Sequence, residues 1–346
     1  MNKKAIVVAV LVGMMLSRVH AQDKTAPKTE AEESKKASPA TMKLYDVPAA
    51  REASSQPPEE VADYFKITQS REPAQRTELI EEFLKKHPES QYASTLHQMA
   101  AASYQQLNNY EKMVEHGEKT LQSLPASPAM LSVLALAYAS HGEADKAEDR
   151  ASRAITLLEK LTIPANADPA RFASERNNYL ATNYACLGSA SLTKFEAARK
   201  ARQEAQAATA PASADTAVKP VAAPPANDQA KPAASEAGGV QPAAPNLEAI
   251  HLAKSEGYMT RALELNGEYE FAQFQVGVVY AYQNRADKAL EAFARTVVLG
   301  GSFVDMARQN LEAIYKTTHK DSLEGLEDFV ARFKPPVPPA AKEAQK

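Results

Sequence analysis

The chain has 346 residues, of which 66 are alanine, 12 are glycine and 22 are proline, with one cysteine and no tryptophan. Alanine favours helices, whereas β-sandwiches, β-barrels and glycine-loop nucleotide folds need strand-forming runs or glycine-rich turns. The composition therefore predicts an all-α protein and argues against those classes, and the formal net charge of −3 does not attract nucleic acid.

Residues 1–21 have the three parts of a secretory signal peptide. Two lysines precede an apolar run over residues 5–16, and the segment ends in the small-x-small site Val19, His20, Ala21. The apolar run extends only about 18 Å as a helix, against roughly 30 Å of bilayer hydrocarbon. We therefore predict cleavage after Ala21, a periplasmic or secreted protein, and no stable membrane insertion after cleavage. Cleavage removes three basic residues and no acidic one, so the mature net charge is −6.

Three further segments lack the large apolar residues that a folded core needs. Residues 22–58 are rich in Lys, Glu, Ser, Ala and Pro; residues 207–246 contain seven prolines and no Leu, Ile, Met or aromatic residue; residues 334–346 are proline-rich. Chains of such composition cannot offset their ordering entropy by burial. We predict a disordered leader, an Ala/Pro-rich disordered linker and a disordered tail.

The remaining residues, 59–206 and 247–333, show apolar positions at helical spacing, which predicts short helices of about 12 to 16 residues joined by tight turns. A period of 34 residues relates these helices, since it separates Tyr104 from Tyr138 and Met259 from Phe293. A fixed period of this length indicates stacked two-helix units.

The repeated positions resemble the tetratricopeptide repeat (TPR) family, whose unit carries Leu-Gly-x2-Tyr in its first helix and Ala-x3-Phe in its second. The best copy has Val276, Gly277 and Tyr280 followed by Ala289 and Phe293. This resemblance implies a TPR-like α-solenoid of about five helix-turn-helix repeats with C-terminal capping helices. The joint between repeats, Phe-Leu-Lys-Lys-His-Pro-Glu-Ser-Gln-Tyr-Ala, is similar to that of exported bacterial envelope members.

The linker over residues 207–246 falls inside one repeat of this array. Repeats 1 to 3 and the first helix of repeat 4 occupy residues 59–206, while the second helix of repeat 4, repeat 5 and the capping helices occupy residues 247–333. Lengthening a loop about tenfold costs only roughly 2 kcal/mol in closure entropy, so the array tolerates the interruption. Asp321 and Glu324 predict a capping box at the start of the last helix.

The sequence contains no recognisable catalytic or metal-binding motif. There is no glycine-rich phosphate loop, no H-E-x-x-H, no G-x-S-x-G and no cysteine pair, and no two histidines lie three or four residues apart. We therefore predict no catalytic residue, no metal and no cofactor, and a protein that is not an enzyme. Cys186 is interpreted as a buried apolar residue and His141 as a solvated turn residue.

In the family, the first helix of each pair lines a concave groove that holds a peptide, so the resemblance implies a protein or peptide partner. Gln98, Ala102 and Val133 depart from the Lys, Asn and Arg clamp with which some members grip acidic C-termini, so such a clamp is not expected. Phe271 fits the groove and the core equally, whereas Phe274 fits the core better. The groove-facing positions implied are Gln98, Gln105, Ser132, Leu136, Asn178, Thr182, Phe271, Phe274 and Val278.

These features favour an exported scaffold or adaptor that binds proteins or peptides in the bacterial cell envelope. One alternative is a self-associating assembly factor, a homo-oligomer in which the apolar C-terminal helices pair between copies. A second alternative, of a different class, is an enzyme with an unrecognised site in the groove.

Overall fold

The computed structural model describes residues 58–165, 167–209 and 246–334, which form twelve helices and no strand. The predicted signal peptide, residues 22–57 of the leader, residues 210–245 of the linker and residues 335–346 of the tail lie outside the described residues. The helices are α1 (Pro58–Gln69), α2 (Pro73–Lys86), α3 (Ala93–Gln106), α4 (Tyr110–Ser123), α5 (Pro128–Ser140), α6 (Ala144–Lys160), α7 (Pro169–Thr209), α8 (Leu247–Leu265), α9 (Glu270–Tyr282), α10 (Ala286–Leu299), α11 (Val304–Thr318) and α12 (Leu326–Ala331).

Helices that are adjacent in sequence pack as pairs, from α1 with α2 to α9 with α10, and α11 and α12 pack against α10 at the C-terminal end. Helix α7 packs against both α5 and α9. We call the first helix of each pair, together with α11, the odd-numbered layer. The even-numbered helices are the second member of each pair. This arrangement confirms the predicted fold class, a TPR-like α-solenoid of five helical pairs with a C-terminal cap.

The turns within three of the pairs have the same geometry, which gives the 34-residue period its structural meaning. Asn108 and Gly142, 34 residues apart, and Asn284 adopt the left-handed conformation, with φ of 54°, 73° and 57°. Glycine and asparagine tolerate this conformation better than other residues do. The backbone N–H of the following residue then donates to the carbonyl oxygen of the tyrosine of the motif, in the bonds Asn109 to Tyr104, Glu143 to Tyr138 and Arg285 to Tyr280, each 2.9 Å.

Small residues allow the paired helices to approach closely. Ala147, Ala151 and Ala154 on α6 are fully buried, and a Cβ atom at Gly277 would lie 2.8 Å from the ring of the buried Phe293. Close packing of this kind leaves no room for an added methyl group. The Gly-Tyr and Ala-Phe motif residues therefore meet each other across the α9–α10 pair.

Helix α7 has 41 residues, so the expectation that all helices are short is wrong at this position. Its continuation past residue 188 is stabilised because Leu192 and Phe195 are buried, with the Phe195 ring 4.8 Å from that of Tyr282 on α9. Lys194 forms an ion pair with Asp145 on α6 at 2.8 Å. The helix then continues through Thr209, three residues into the predicted linker.

The last helix also differs from its prediction, since α12 begins at Leu326 and has six residues. Asp321 and Gly325 adopt left-handed conformations, with φ of 65° and 81°, so the chain turns between these residues and cannot be helical there. Gly325 occupies the N-cap position, and no side chain caps this helix. The predicted capping box of Asp321 and Glu324 is therefore wrong.

Candidate functional site

All nine predicted groove positions lie on helices of the odd-numbered layer, namely α3, α5, α7 and α9. Because α7 contacts both α5 and α9, the layer is continuous across the sequence interruption between α7 and α8. Six of the nine side chains are accessible: Gln105 and Asn178 are exposed, and Gln98, Leu136, Thr182 and Phe271 are partly exposed.

Three of the nine positions are core rather than surface, and their assignment to the groove is wrong. Ser132, Phe274 and Val278 are 3%, 3% and 1% exposed. Ser132 donates to the carbonyl oxygen of Pro128 at 2.7 Å and accepts from Asn183 Nδ2 on α7 at 2.6 Å. The Ser132 hydroxyl therefore links α5 to α7 by hydrogen bonds within the core.

Phe274 and Val278 are buried because α7 and α11 contribute to the same core as α9. The ring of Phe274 lies 5.2 Å from that of Phe303, which precedes α11, and 5.7 Å from that of Phe293 on α10. Val278 belongs to the core cluster that contains Leu192 and Phe195 of the α7 continuation. The burial of Phe274 agrees with the preference for the core noted from its sequence position, whereas the burial of Val278 depends on the length of α7, which the repeat pattern does not predict.

Phe271 is partly exposed, whereas Phe274 is buried. Its ring lies 5.6 Å from Phe303 and 6.2 Å from Tyr269. The three rings form a partly exposed aromatic patch at the start of α9. Offset and tilted aromatic contacts of this kind hold a ring in place and make it a suitable anchor at an interface.

The turn over residues 266–269 joins this aromatic patch to α7. Asn266 Nδ2 donates to Asn178 Oδ1 at 3.1 Å, and the Thr182 hydroxyl lies beside the Tyr269 phenol. The structure thus brings Asn178, Thr182 and Phe271 together around one turn. Asn266 and Tyr269 were not predicted from the sequence, although Asn266 precedes Gly267 as in many turns.

Charged residues are nearly absent from α3, α5, α9 and the middle of α7, whereas α1, α11 and both ends of α7 carry several. Helices α3 and α5 contain no Asp, Glu, Lys or Arg over 14 and 13 residues, residues 177–193 of α7 contain none, and α9 contains only Glu270. The even-numbered helices α2, α4, α6 and α10 carry many, for example Arg76, Glu78, Glu81, Lys112, Glu115, Glu118, Asp145, Glu148, Arg150, Asp287, Lys288 and Glu291. The accessible surface of α3, α5 and residues 177–193 of α7 is therefore uncharged, and α9 adds one partly exposed carboxylate.

Two residues interpreted from sequence have the expected environments. Cys186 is fully buried, and burial raises the pKa of its thiol to about 12, which keeps it protonated and unreactive at neutral pH. His141 is exposed, caps the end of α5 and stacks on Tyr110 with ring centroids 3.5 Å apart. Within residues 58–165, 167–209 and 246–334 no three His, Cys, Asp or Glu side chains are grouped so that they could hold a metal ion.

No family model matches the sequence, and no curated protein matches it. Among solved structures, the chain is similar to TTC0263, a TPR protein of Thermus thermophilus, with 16% identity, a TM-score of 0.40, and coverage of 70% of this chain and 98% of that one. It is also similar to the MamA protein, with 15% identity, a TM-score of 0.36, and coverage of 70% and 89%. Of the helices in the part of the chain that the structure describes, none combines the length and apolarity needed to cross a bilayer.

Proposed function

We propose that the protein is a scaffold that binds a protein or peptide segment along its odd-numbered layer. The observation that carries this proposal is the continuity of the layer: α5, α7 and α9 pack in order and present accessible amide, hydroxyl and apolar side chains. A preformed surface of this kind binds without paying the entropy of ordering itself.

The accessible residues supply two kinds of contact. The side-chain amides of Gln98, Gln105 and Asn178 can each donate and accept hydrogen bonds, as the main chain of an extended peptide requires. Leu136 and Phe271 supply apolar contact area, and the ring of Phe271 is held by its aromatic neighbours. Binding on this layer needs neither a cofactor nor a chemical step.

We further propose that the scaffold acts in the bacterial cell envelope after export. This part rests on residues 1–21, whose two lysines, short apolar run and small-x-small site are typical of a cleaved signal peptide. The single cysteine cannot form a disulfide within the chain, so in that compartment the fold depends on its core.

Site-specific crosslinking in cells tests the binding surface. A photoreactive phenylalanine analogue is placed at Ala102, exposed on α3, and in a matched chain at Ala253, exposed on α8 of the even-numbered layer. We expect adducts of defined mass from position 102 that are absent from position 253 and are lost when Phe271→Glu is added. Equal adducts from both positions, or adducts unaffected by Phe271→Glu, would contradict the proposal, and adducts between copies alone would favour self-assembly.

Cell fractionation and N-terminal sequencing test the site of action separately. We expect the chain in the periplasmic or extracellular fraction with Gln22 as its first residue, and retention of the unprocessed chain when Lys3 and Lys4 are replaced by glutamate. An unprocessed chain that fractionates with cytosolic markers would contradict export and leave the binding surface to be judged by crosslinking alone.

A further inference from the structure

We infer that the segment bound by the odd-numbered layer is an uncharged stretch of polypeptide, extended along α3, α5, α7 and α9 and free of Asp, Glu, Lys and Arg where it faces them. The inference rests on the proposed function and adds to it the chemistry of the partner. It follows from the near-absence of charged residues from α3, α5, α9 and residues 177–193 of α7.

The uncharged surface of these helices selects against charged ligands, because binding would remove water from the charged groups. A carboxylate or ammonium group pressed against α3 and α5 would lose hydration and meet no opposite charge, which is costly. An uncharged main chain, by contrast, exchanges its hydrogen bonds with water for bonds to amides such as Gln98 and Gln105. This surface therefore achieves specificity mainly by weakening the binding of charged segments.

Two ionisable groups on α3 and α9 are occupied or neutral. Glu270, the single acidic residue on α9, accepts the backbone N–H groups of Ser302 and Phe303 at 3.2 and 2.7 Å. His97 on α3 is held in its neutral form, because burial lowers its pKa to about 4.

Two cations on the neighbouring even-numbered helices are also engaged with acidic partners. Lys112 on α4 pairs with Glu81 at 3.3 Å and with Glu115 at 3.1 Å. Arg150 on α6 pairs with Glu118 at 2.9 Å. A charged peptide would have to compete with these intramolecular pairs to find a counter-ion.

The exposed side chains also set the shape of the ligand. Ala102 on α3 leaves space for a side chain next to Gln98 and Gln105, so small or polar uncharged residues fit this end. Leu136 and Phe271 favour an apolar side chain farther along the layer. The occupant is thus an uncharged segment with a bulky apolar residue toward the α9 end.

Selection from a random dodecapeptide library displayed on phage tests this inference on the purified full chain. The matched variants are Ala102→Lys on the odd-numbered layer and Ala253→Lys on the even-numbered layer, both at exposed helical positions that lysine tolerates. Each variant's helical circular dichroism is compared with that of the original chain.

We expect the selected peptides to share a core without charged residues and to bind with a Kd that changes less than about twofold between 50 and 500 mM NaCl, because no ion pair is formed. A single Asp or Lys placed in that core should weaken binding at least tenfold. Ala102→Lys should weaken the uncharged peptides and enrich peptides with Asp or Glu, whereas Ala253→Lys should change neither result.

Two other outcomes overturn the inference in distinguishable ways. Charged peptides whose binding is lost in Ala102→Lys or weakened by salt would show that the layer binds peptides of a different chemistry, so that the proposed function stands and this inference fails. Peptides that bind equally to the original chain and to Ala102→Lys, or a selection that enriches no peptide, would contradict the proposed function as well.

Discussion

The Nδ1 atoms of His97 and His116 lie 2.9 Å apart, and His116 Nε2 lies 3.1 Å from Glu81 Oε1. His116 is fully buried. Since an ionised carboxylate only accepts, His116 Nε2 carries the proton that is shared with Glu81, and His116 Nδ1 accepts from His97 Nδ1–H. One directed chain of hydrogen bonds thus links α3 to α4 and α4 to α2.

This histidine pair predicts a loss of stability on mild acidification. Burial lowers the pKa of His97 to about 4 and also lowers that of His116, whereas both titrate near 6.5 when unfolded. The unfolded chain therefore binds more protons below pH 6.5, and the free energy of unfolding falls as the pH drops from about 6.5 to 4. For His97 alone the loss at pH 5 is at most about 2 kcal/mol, because each pH unit between its two pKa values costs about 1.4 kcal/mol and solvent screening of this half-buried ring reduces the effect.

Urea unfolding at several pH values measures this effect, and the variant His97→Gln is its control. The glutamine amide can still donate to His116 Nδ1 but does not titrate, so the stability of the variant should depend less on pH between 6.5 and 4. Glu81, Glu115, Lys112 and Lys119 surround the pair and are common to both chains. Identical pH profiles of the two proteins would contradict the assignment.

The His97–His116 contact also shows what the sequence could not reveal. Two histidines that meet on one helix lie three or four residues apart in the sequence, whereas His97 and His116 lie 19 residues apart on successive helices. Whether two such side chains meet depends on the rotation of each helix about its axis. The 34-residue period predicts which helices pair, and it does not predict that rotation.

The contact between Gly277 and Phe293 predicts a large cost for the smallest possible substitution. A Cβ at Gly277 would lie 2.8 and 2.9 Å from two Phe293 ring atoms, and that ring is fully buried. The ring cannot move aside without strain, so Gly277→Ala should lower the free energy of unfolding by about 1 to 3 kcal/mol. Thermal or urea unfolding measures the change.

Gly257 on α8 is the matched control, because nothing lies within 4 Å of a Cβ built there. Alanine is favoured over glycine in a helix, so Gly257→Ala should raise stability by about 0.5 to 1 kcal/mol. A stabilising effect at both positions would mean that the α9–α10 pair is packed less closely than described.

Glu270 is predicted to stabilise the junction between α9 and α11. Its two carboxylate oxygens accept hydrogen bonds from the N–H groups of Ser302 and Phe303, and Gly301 passes so close that a Cβ atom there would clash with Glu270 Oε2. Hydrogen bonds to a charged group contribute about 1.5 to 3 kcal/mol. Glu270→Ala should therefore destabilise the protein by about that amount.

Two further variants separate this role of Glu270 from a general charge effect. Glu270→Gln keeps one acceptor oxygen and should lose less stability than Glu270→Ala in the same urea experiment. Glu268→Ala removes an exposed carboxylate two residues away and should change stability by less than about 0.5 kcal/mol. Equal losses of stability for Glu268→Ala and Glu270→Ala would contradict a specific role of the two Glu270 hydrogen bonds.

At the interruption between α7 and α8, the sequence predicts which helices pair but does not predict how long they are. The 34-residue period predicted that helices of one repeat lie on both sides of it, and α7 and α8 pack against each other. The motif positions do not predict the residue at which α7 ends, because the length of this helix depends on tertiary contacts such as that of Phe195 with Tyr282. Those contacts also explain why Val278, assigned to the groove from repeat position alone, is buried.

Replacement of residues 210–245 by a short Gly/Ser linker of roughly eight residues tests how far the α7–α8 pair depends on the segment between them. The pair is held by its own contacts, among them Ser255 Oγ to the Gly188 carbonyl oxygen at 2.8 Å and Arg202 Nε to Glu248 Oε1 at 2.8 Å. A shorter loop lowers the closure entropy cost, so stability should rise by about 1 kcal/mol.

The matched destabilising variant is Gly188→Val, because a Cβ at Gly188 would lie 2.7 Å from the buried Met259 side chain. Urea unfolding should place the shortened chain above the original and Gly188→Val below it. If the shortened chain instead loses more than about 2 kcal/mol, residues 210–245 contribute contacts to the fold, and the α7–α8 pair is not self-sufficient.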